Sequence, residues 1–305
     1  MMKRAIVTGA TGFIGSWLVQ ELIHSGYEVV VVVRNVNKLI PDIMSNSSCF
    51  IIEKDICNLK EDDFDSEKTY DVFYHLGWSG VSPEYKNESD KQMRNIPMSL
   101  NALEVCNRIG CRLFIASGTV AEYALTDDIM NLNLKQSPND MYGAAKVSVH
   151  YFMEVRARQL NQPFIWTVIP STFGERRTDS NIITYTIRTL LKGEKPLYGN
   201  LYQMWDFLYV AEVVRALRLI GEKGIVGKVY GIGSGEYRPL RDYIIEIRDI
   251  INPKLELGIG EIPSMSKQTF SSCVNIYDLI RDTGFKPVIG FEEGIKKTID
   301  YLSNI

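Results

Sequence analysis

Residues 4–15 read Arg4-Ala5-Ile6-Val7-Thr8-Gly9-Ala10-Thr11-Gly12-Phe13-Ile14-Gly15. Ala5 to Val7 are apolar and partly β-branched, which predicts a short buried strand. Small residues and glycines follow. Phe13, Ile14, Trp17, Leu18, Leu22 and Ile23 then recur at helical spacing, and Gly26 stands where a helix would end. Strand, glycine turn and helix are therefore expected in that order. The glycines have the spacing G-x-x-G-x-x-G. Lacking a Cβ, Gly9 can make the tight turn, Gly12 lets a diphosphate approach the backbone, and Gly15 lets helix pack on strand. The helix that starts with Phe13 and Ile14 would turn its free N–H groups and positive end toward that diphosphate. Gly9, Thr11, Gly12, Phe13, Ile14 and Gly15 are thus candidate dinucleotide contacts.

A second apolar run, Val29 to Val33, completes a strand–helix–strand unit and has the unbroken apolarity of a parallel strand covered on both faces. It ends in Arg34, with Lys38 soon after and no acid at the tip. An acid there bonds the ribose 2′-OH of NAD, whereas an arginine accepts the 2′-phosphate of NADP. Arg34 and Lys38 therefore point to NADP, with NAD as the alternative. Phe50 to Ile56 is expected as a third strand, whose final Asp55-Ile56 could meet the adenine or cap a turn. Asp71 to Gly77 is expected as a fourth, with Leu76 and Gly77 where a dinucleotide passes closely. His75 within it reads as a buried, hydrogen-bonded strand residue.

Met93 to Ile109 has helical spacing, with Pro97 arguing for a kink or an earlier break. Cys111 to Ala116 is a fifth strand running out into Ser117-Gly118-Thr119. Strands alternating with helices indicate an α/β fold, a Rossmann-type doubly wound parallel sheet, with ligands at the carboxyl ends of the strands. Asn139 or Asp140 then caps a helix reaching to about Leu160. Tyr142 and Lys146 stand at i and i+4 on one face of it. An ammonium beside a phenol lowers its pKa, so the pair suits proton exchange with a substrate hydroxyl. Ser117 or Thr119 would hold the same oxygen.

The 305 residues carry a net charge of −3, mixed in sign, and no footprint for nucleic acid. Nothing approaches the roughly 18 consecutive apolar residues of a membrane span. The N-terminal apolar run reads as a core strand and not a signal peptide. Cys49, Cys57, Cys106, Cys111 and Cys273 contain no C-x-x-C pair, and His24, His75 and His150 are scattered, so no metal site is expected. Reduced thiols in a cytoplasmic protein are expected.

The sequence resembles the extended short-chain dehydrogenase/reductases of the nucleotide-sugar epimerase, dehydratase and 4-keto reductase group. The resemblance rests on Thr8 to Gly15, Asp55-Ile56, His75 to Gly77, Ser117-Gly118-Thr119, Tyr142 to Lys146 and Pro170 to Gly174. Trp205 to Val210 and Asp282 to Pro287 extend it over nearly the whole chain. It implies Tyr142 as acid/base, Lys146 as its tuner and ribose ligand, and Thr119 as the hydroxyl partner, four residues before Tyr123. It implies that Ile169 to Thr172, with Pro170, pass beside the nicotinamide. A smaller, mainly C-terminal substrate-binding lobe is implied to close over a nucleotide-diphospho-sugar, with Asn181 and Arg188 as sugar or diphosphate contacts or as polar positions of a helix over about 181–192. The resulting division is 1–172 for the dinucleotide-binding domain and 173–305 for the lobe, with segments near 205–232 returning to the sheet. Homodimers through the helix of Tyr142 and the one before it are also implied.

Family dehydratases carry Asp-Glu directly after the catalytic threonine. Val120-Ala121 stand here, so 4,6-dehydration is not expected. Trp205 stands where an arginine commonly precedes the Asp-Phe pair. The leading expectation is hydride transfer at a ring carbon, C4, of a nucleotide-activated hexose, leaning to a 4-keto reductase. A 4-epimerase with retained NAD is the alternative. Further readings are a reductase of non-sugar carbonyls and a non-catalytic NADP sensor, the latter disfavoured because Tyr142 and Lys146 are both present.

Overall fold

The computed structural model describes residues 3–123, 132, 135–177, 179–263 and 273–304. The apolar run of the glycine stretch is β1 (Lys3–Thr8), and the residues after the turn form α1 (Phe13–His24). The valine run is β2 (Tyr27–Val33), followed by α2 (Pro41–Met44), β3 (Cys49–Glu53), β4 (Val72–His75), α3 (Ser89–Met93), α4 (Asn95–Arg108), β5 (Phe114–Thr119), α5 (Met141–Leu160) and β6 (Phe164–Ile169). Beyond them lie β7 (Ser171–Phe173), α6 (Ile182–Leu191), β8 (Leu197–Tyr198), β9 (Met204–Trp205), β10 (Phe207–Tyr209), α7 (Val210–Lys223) and β11 (Val229–Gly231). The described chain ends with β12 (Arg238–Pro239), α8 (Leu240–Ile251), β13 (Gly258–Ile259), α9 (Tyr277–Thr283) and α10 (Phe291–Ser303).

Seven strands form one parallel sheet in the order β11-β6-β5-β4-β1-β2-β3. The order reverses between β1 and β4, which is the switch point where doubly wound sheets bind ligands. Register carries the argument further. Thr8 pairs with His75, and His75 with Ala116, so the glycine turn, Gly77 and Thr119 all leave the sheet along one edge.

Both faces are covered, as the unbroken apolar strands require. Leu18 and Leu22 of α1 pack with Val213 and Leu217 of α7 on one face. Leu103 and Cys106 of α4 pack with Val149 and Met153 of α5 on the other. A third cluster joins Ile183 and Ile187 of α6, Tyr243 and Ile247 of α8, and Phe291 and Ile295 of α10 around Phe173, Phe207 and Tyr209. The short pairs β7–β10, β8–β13 and β9–β12 tie the segments of this smaller region together. No helix of the described residues is long and apolar enough to cross a membrane.

Several expected boundaries move. The third strand stops at Glu53, because Asp55 accepts from the Cys57 N–H at 2.8 Å and starts a 3-10 turn at Ile56. The fourth stops at His75 and the fifth begins at Phe114. The helix around Pro97 breaks at Arg94. Pro97 then lies in the first turn of α4, where its missing N–H has no intrahelical role.

Candidate active site

The glycine turn is built by exclusion of side chains. Gly9 has φ +77°, and a Cβ there would lie 2.8 Å from the Leu76 carbonyl carbon. A Cβ on Gly15 would lie 2.1 Å from the Gly9 carbonyl oxygen, so α1 could not approach β1 with any other residue. Gly12 is different. Its φ is −86°, and a Cβ would meet only the Gly9 oxygen, at 3.2 Å. Gly12 is the N-cap of α1, no side chain caps that end, and no acid lies in its first turn. Its N–H groups and positive end are therefore available to an anion. Gly77 closes the cradle, since a Cβ there would meet Ile56 Cδ1 at 2.6 Å. These features fit the diphosphate of a dinucleotide.

His75 stands beneath the cradle as a structural residue. Its Nδ1 is 3.0 Å from Thr8 Oγ1 and its Nε2 3.0 Å from Ser99 Oγ, while the Gly77 N–H donates to Thr8 Oγ1 at 3.1 Å. Burial first, then the nearby Lys146 charge, lowers its pKa to about 3, so it is a neutral imidazole at pH 7.

The second half of the site comes from β5 and α5. Asp140 caps α5 by accepting from the Gly143 N–H at 2.6 Å, which starts the helix one turn before Lys146. A Cβ on Gly143 would lie 2.2 Å from the Ala121 carbonyl oxygen, so this glycine lets α5 press against the turn after β5. The half-buried Tyr142 thereby faces the Thr119 hydroxyl, which lowers its phenol pKa. Lys146, 4% exposed, donates to the Ser117 carbonyl at 2.6 Å and places its ammonium 3.8 Å over the Trp78 ring. Trp78 also meets Tyr142 edge-on, with ring centroids 6.0 Å apart. Ser117 Oγ, in contrast, reaches only the His75 carbonyl, at 3.5 Å.

The electrostatics differ from expectation in one respect. Burial pushes the Tyr142 phenol up, the Thr119 bond pulls it back, and the charges of Glu122 and Asp140 raise it again. Lys146 itself is pulled down by burial and held up by Glu122. The free chain thus holds Tyr142 as a neutral phenol, and the lowering expected from the neighbouring ammonium is absent.

The remaining expected residues divide. Arg34 and Lys38 are exposed beyond β2, with no ion pair among the described residues. Asp55 is engaged in its 3-10 cap. Pro170, between β6 and β7, and Thr172, within β7, are buried, and the Thr172 carbonyl accepts from Arg177. Asn181 caps α6, accepting from Ile183 N at 3.0 Å and Thr184 N at 3.2 Å, so its carboxamide oxygen serves the helix. Arg188 is half-buried on α6. Trp205 keeps a buried indole N–H without an acceptor among the described residues, and its neighbour Asp206 accepts from Ser234 N at 3.1 Å and Ser234 Oγ at 2.6 Å.

Two residues of the site were not singled out from sequence. Trp78 follows Gly77 directly, and an aromatic at a strand exit was the available signal. Glu122 lies in Val120-Ala121-Glu122-Tyr123, where a single acid beside two apolar residues carries no local mark of burial. No group of three or more His, Cys, Asp or Glu placed to hold a metal occurs among the described residues, and no disulfide.

Residues 5–233 match the model of the NAD dependent epimerase/dehydratase family. Among relatives, the dTDP-glucose 4,6-dehydratase of Neisseria meningitidis is 25% identical, covering 99% of this chain and 94% of its own. UDP-glucuronic acid decarboxylase 1 of Danio rerio is 26% identical over 99% of this chain and 73% of its own. Among solved structures, the UDP-glucose 4-epimerase of Thermotoga maritima with UDP-glucose is 25% identical and superposes with a TM-score of 0.83 over 99% of each chain. The UDP-glucuronic acid 4-epimerase of Bacillus cereus with UDP-glucuronic acid and NAD, 22% identical, has a TM-score of 0.85 over 99% of each chain and shares the fold. With three-quarters of its length inside the family model and a glycine cradle and Tyr–Lys pair at one sheet edge, this chain belongs to the NAD dependent epimerase/dehydratase family.

Proposed function

We propose that this chain reduces the 4-keto group of a nucleotide-diphospho-sugar with NADPH. The observation that carries the reading is the Thr119 hydroxyl facing Tyr142, set beside Lys146 on the sheet edge that bears the glycine cradle. A bound nicotinamide would supply the hydride for the ring carbon. Gly9, Thr11, Gly12, Phe13, Ile14 and Gly15 would hold the diphosphate, Arg34 and Lys38 the 2′-phosphate, and Asp55, Ile56, Leu76, Gly77, Pro170 and Thr172 would line the rest. Tyr142 would give its proton to the oxygen that becomes the hydroxyl, with Thr119 Oγ holding that oxygen in line and Ser117 supporting through its carbonyl bond to Lys146. Val120 and Ala121 stand directly after Thr119, where the family dehydratases carry Asp-Glu, which speaks against elimination of water. Arg188 would face the substrate, in the half-buried wall of α6.

The second reading is a 4-epimerase that retains NAD, and it is favoured by the NAD in the structure of the Bacillus cereus relative. The two are separated by product analysis. Purified protein is incubated with dTDP- and UDP-4-keto-6-deoxyhexoses and NADPH, and with the corresponding UDP- and dTDP-hexoses alone. Stoichiometric NADPH consumption with a 4-hydroxy product supports the reductase. Interconversion of C4 epimers without added cofactor overturns it in favour of the epimerase. In either case Tyr142→Phe is expected to lower turnover by roughly 10²–10⁴-fold with the fold unchanged. Undiminished turnover would remove Tyr142 from the chemistry.

A further inference from the structure

Glu122 is the most deeply buried carboxylate near the site, with no exposed surface. Three N–H donors converge on it: Thr119 N at 2.7 Å, Trp166 Nε1 at 3.2 Å and Gln136 Nε2 at 3.2 Å. A carboxyl group that receives three N–H bonds is served as an acceptor, which is the ionised form. An ionised group so buried needs a nearby opposite charge.

The groups facing it can be taken element by element. From α5 come Tyr142, Lys146 and His150, and from β6 comes Trp166. The loop after β5 contributes Gln136 and Tyr123. His150 Nδ1 lies 3.8 Å from Glu122, but burial lowers its pKa to about 4, and its ring is stacked 4.5 Å from Trp166. His75, within reach of the Lys146 charge, is also neutral. Tyr142 and Tyr123 are neutral phenols pushed up by burial. Among these groups, Lys146 is the cation. The two charges flank one short segment, with Lys146 on the Ser117 carbonyl and Glu122 on the Thr119 N–H. Gly118 lies between them, where a Cβ would come 2.3 Å from Glu122 Oε1.

We propose that Glu122 is the buried countercharge that keeps Lys146 an ammonium, and so is a positioning residue for the Tyr142–Thr119 pair. One carboxylate then does two things. It draws the Thr119 backbone inward, fixing the hydroxyl against Tyr142, and it compensates the lysine charge from behind. Burial raises the Glu122 carboxyl and lowers Lys146, and each opposes the shift of the other, so the pair keeps its charges by mutual support.

The inference rests on Tyr142 and Lys146 being the reacting pair, but its test needs neither substrate nor cofactor. The Lys146 ammonium sits 3.8 Å over Trp78, so Trp78 emission, taken as the protein minus its Trp78→Phe variant, reports the lysine charge through a pH titration. Lys146→Met should abolish the transition. In Glu122→Gln the midpoint is expected to fall by about one pH unit or more. Glu122→Gln/Gln136→Glu, which returns a negative charge to the neighbouring side chain, should raise it again. A second measurement stands independently of whether the glutamine variant folds. In Lys146→Met at pH 7, infrared difference spectra against the parent should show the C=O stretch of a newly protonated carboxylic acid, absent from Lys146→Met/Glu122→Gln if that variant folds. An unchanged Trp78 midpoint in a folded Glu122→Gln protein overturns the inference, and so does the absence of a protonated acid in Lys146→Met. Neither result bears on which sugar is reduced, and failure of the sugar assay leaves both measurements interpretable.

Discussion

The two ends of the crevice along the sheet edge are built by opposite means. At the β1–α1 end the protein withholds side chains: Gly9, Gly15 and Gly77 each stand where a Cβ would strike backbone or a packed side chain, and the surface offered is main-chain N–H. At the β5–α5 end it buries charge, with Lys146 4% exposed and Glu122 fully buried within one hydrogen-bonded knot. The first end is shaped for charge that arrives with a ligand. The second holds its own charges ready, at the desolvation cost that any buried ion carries. A substitution at the first end should therefore act through shape, and one at the second through protonation.

The largest effect that would break this contrast lies within the cradle. Gly15→Ala places a methyl group 2.1 Å from the Gly9 carbonyl oxygen, a main-chain atom that cannot swing aside. It is expected to cost about 3 kcal/mol of stability, read as a lower urea midpoint. Gly12→Ala meets the same oxygen at 3.2 Å, a slight overlap with an ordinary φ, so its stability should fall by far less than that of Gly15→Ala. Its methyl group nevertheless occupies the approach to the α1 N–H groups, and binding of a nicotinamide dinucleotide, followed by fluorescence, should fall by at least tenfold. If Gly12→Ala binds normally, the diphosphate does not lie over that helix end.

The next effect concerns protonation. His150 is held neutral by burial, stacked on Trp166 and bridged by Gln136 at 3.1 Å. Its folded-state pKa of about 4 lies below the roughly 6.5 of an unfolded chain. The unfolded state therefore binds the extra proton between these values. The stability associated with the neutral ring is full above pH 6.5 and is lost as pH falls toward 4, by up to about 1.4 kcal/mol per pH unit. His150→Phe keeps an aromatic ring against Trp166 and removes the proton. The slope of stability against pH between 4 and 6.5 should be shallower by that amount than in the parent, measured by urea unfolding across the range. Equal slopes would mean that His150 titrates alike in the folded and unfolded protein.

The same contrast explains what the sequence disclosed. A glycine that cannot be replaced leaves a mark in the sequence itself, and the spacing of Gly9, Gly12 and Gly15 between an apolar run and a helical pattern was enough to place the sheet and its first helix. Tyr142 and Lys146 were legible because helical spacing is local. Glu122 was not, because a buried acid is written with the same letter as a solvated one. What makes it buried is the packing of Trp166, Gln136 and His150, which arrive from 44, 14 and 28 residues away in sequence. The direction of the Tyr142 shift was missed for the same reason, since the i, i+4 argument counts the ammonium and leaves out the enclosure and the neighbouring acid. Asp55 and Asn181 show the converse. Each reads from sequence as a ligand contact or as a local polar position, and each side chain caps the turn that follows it.

The smallest effect would sharpen the cradle end most. Arg34 sits exposed past the tip of β2, beside Lys38, where a ribose phosphate would lie if the dinucleotide follows the sheet edge from α1. Because the guanidinium is solvated and has no ion pair among the described residues, recruiting it costs little and gains little. Arg34→Ala is expected to weaken NADPH binding by about tenfold, some 1.4 kcal/mol, with NADH binding unchanged and stability within experimental error. Equal affinity of the parent for both dinucleotides, or an equal response of both to the substitution, would detach Arg34 from the 2′-phosphate. A cradle with no preference for phosphate is one that can keep NAD from turnover to turnover, and the 4-epimerase would then be the better account of the same Tyr142, Thr119 and Lys146.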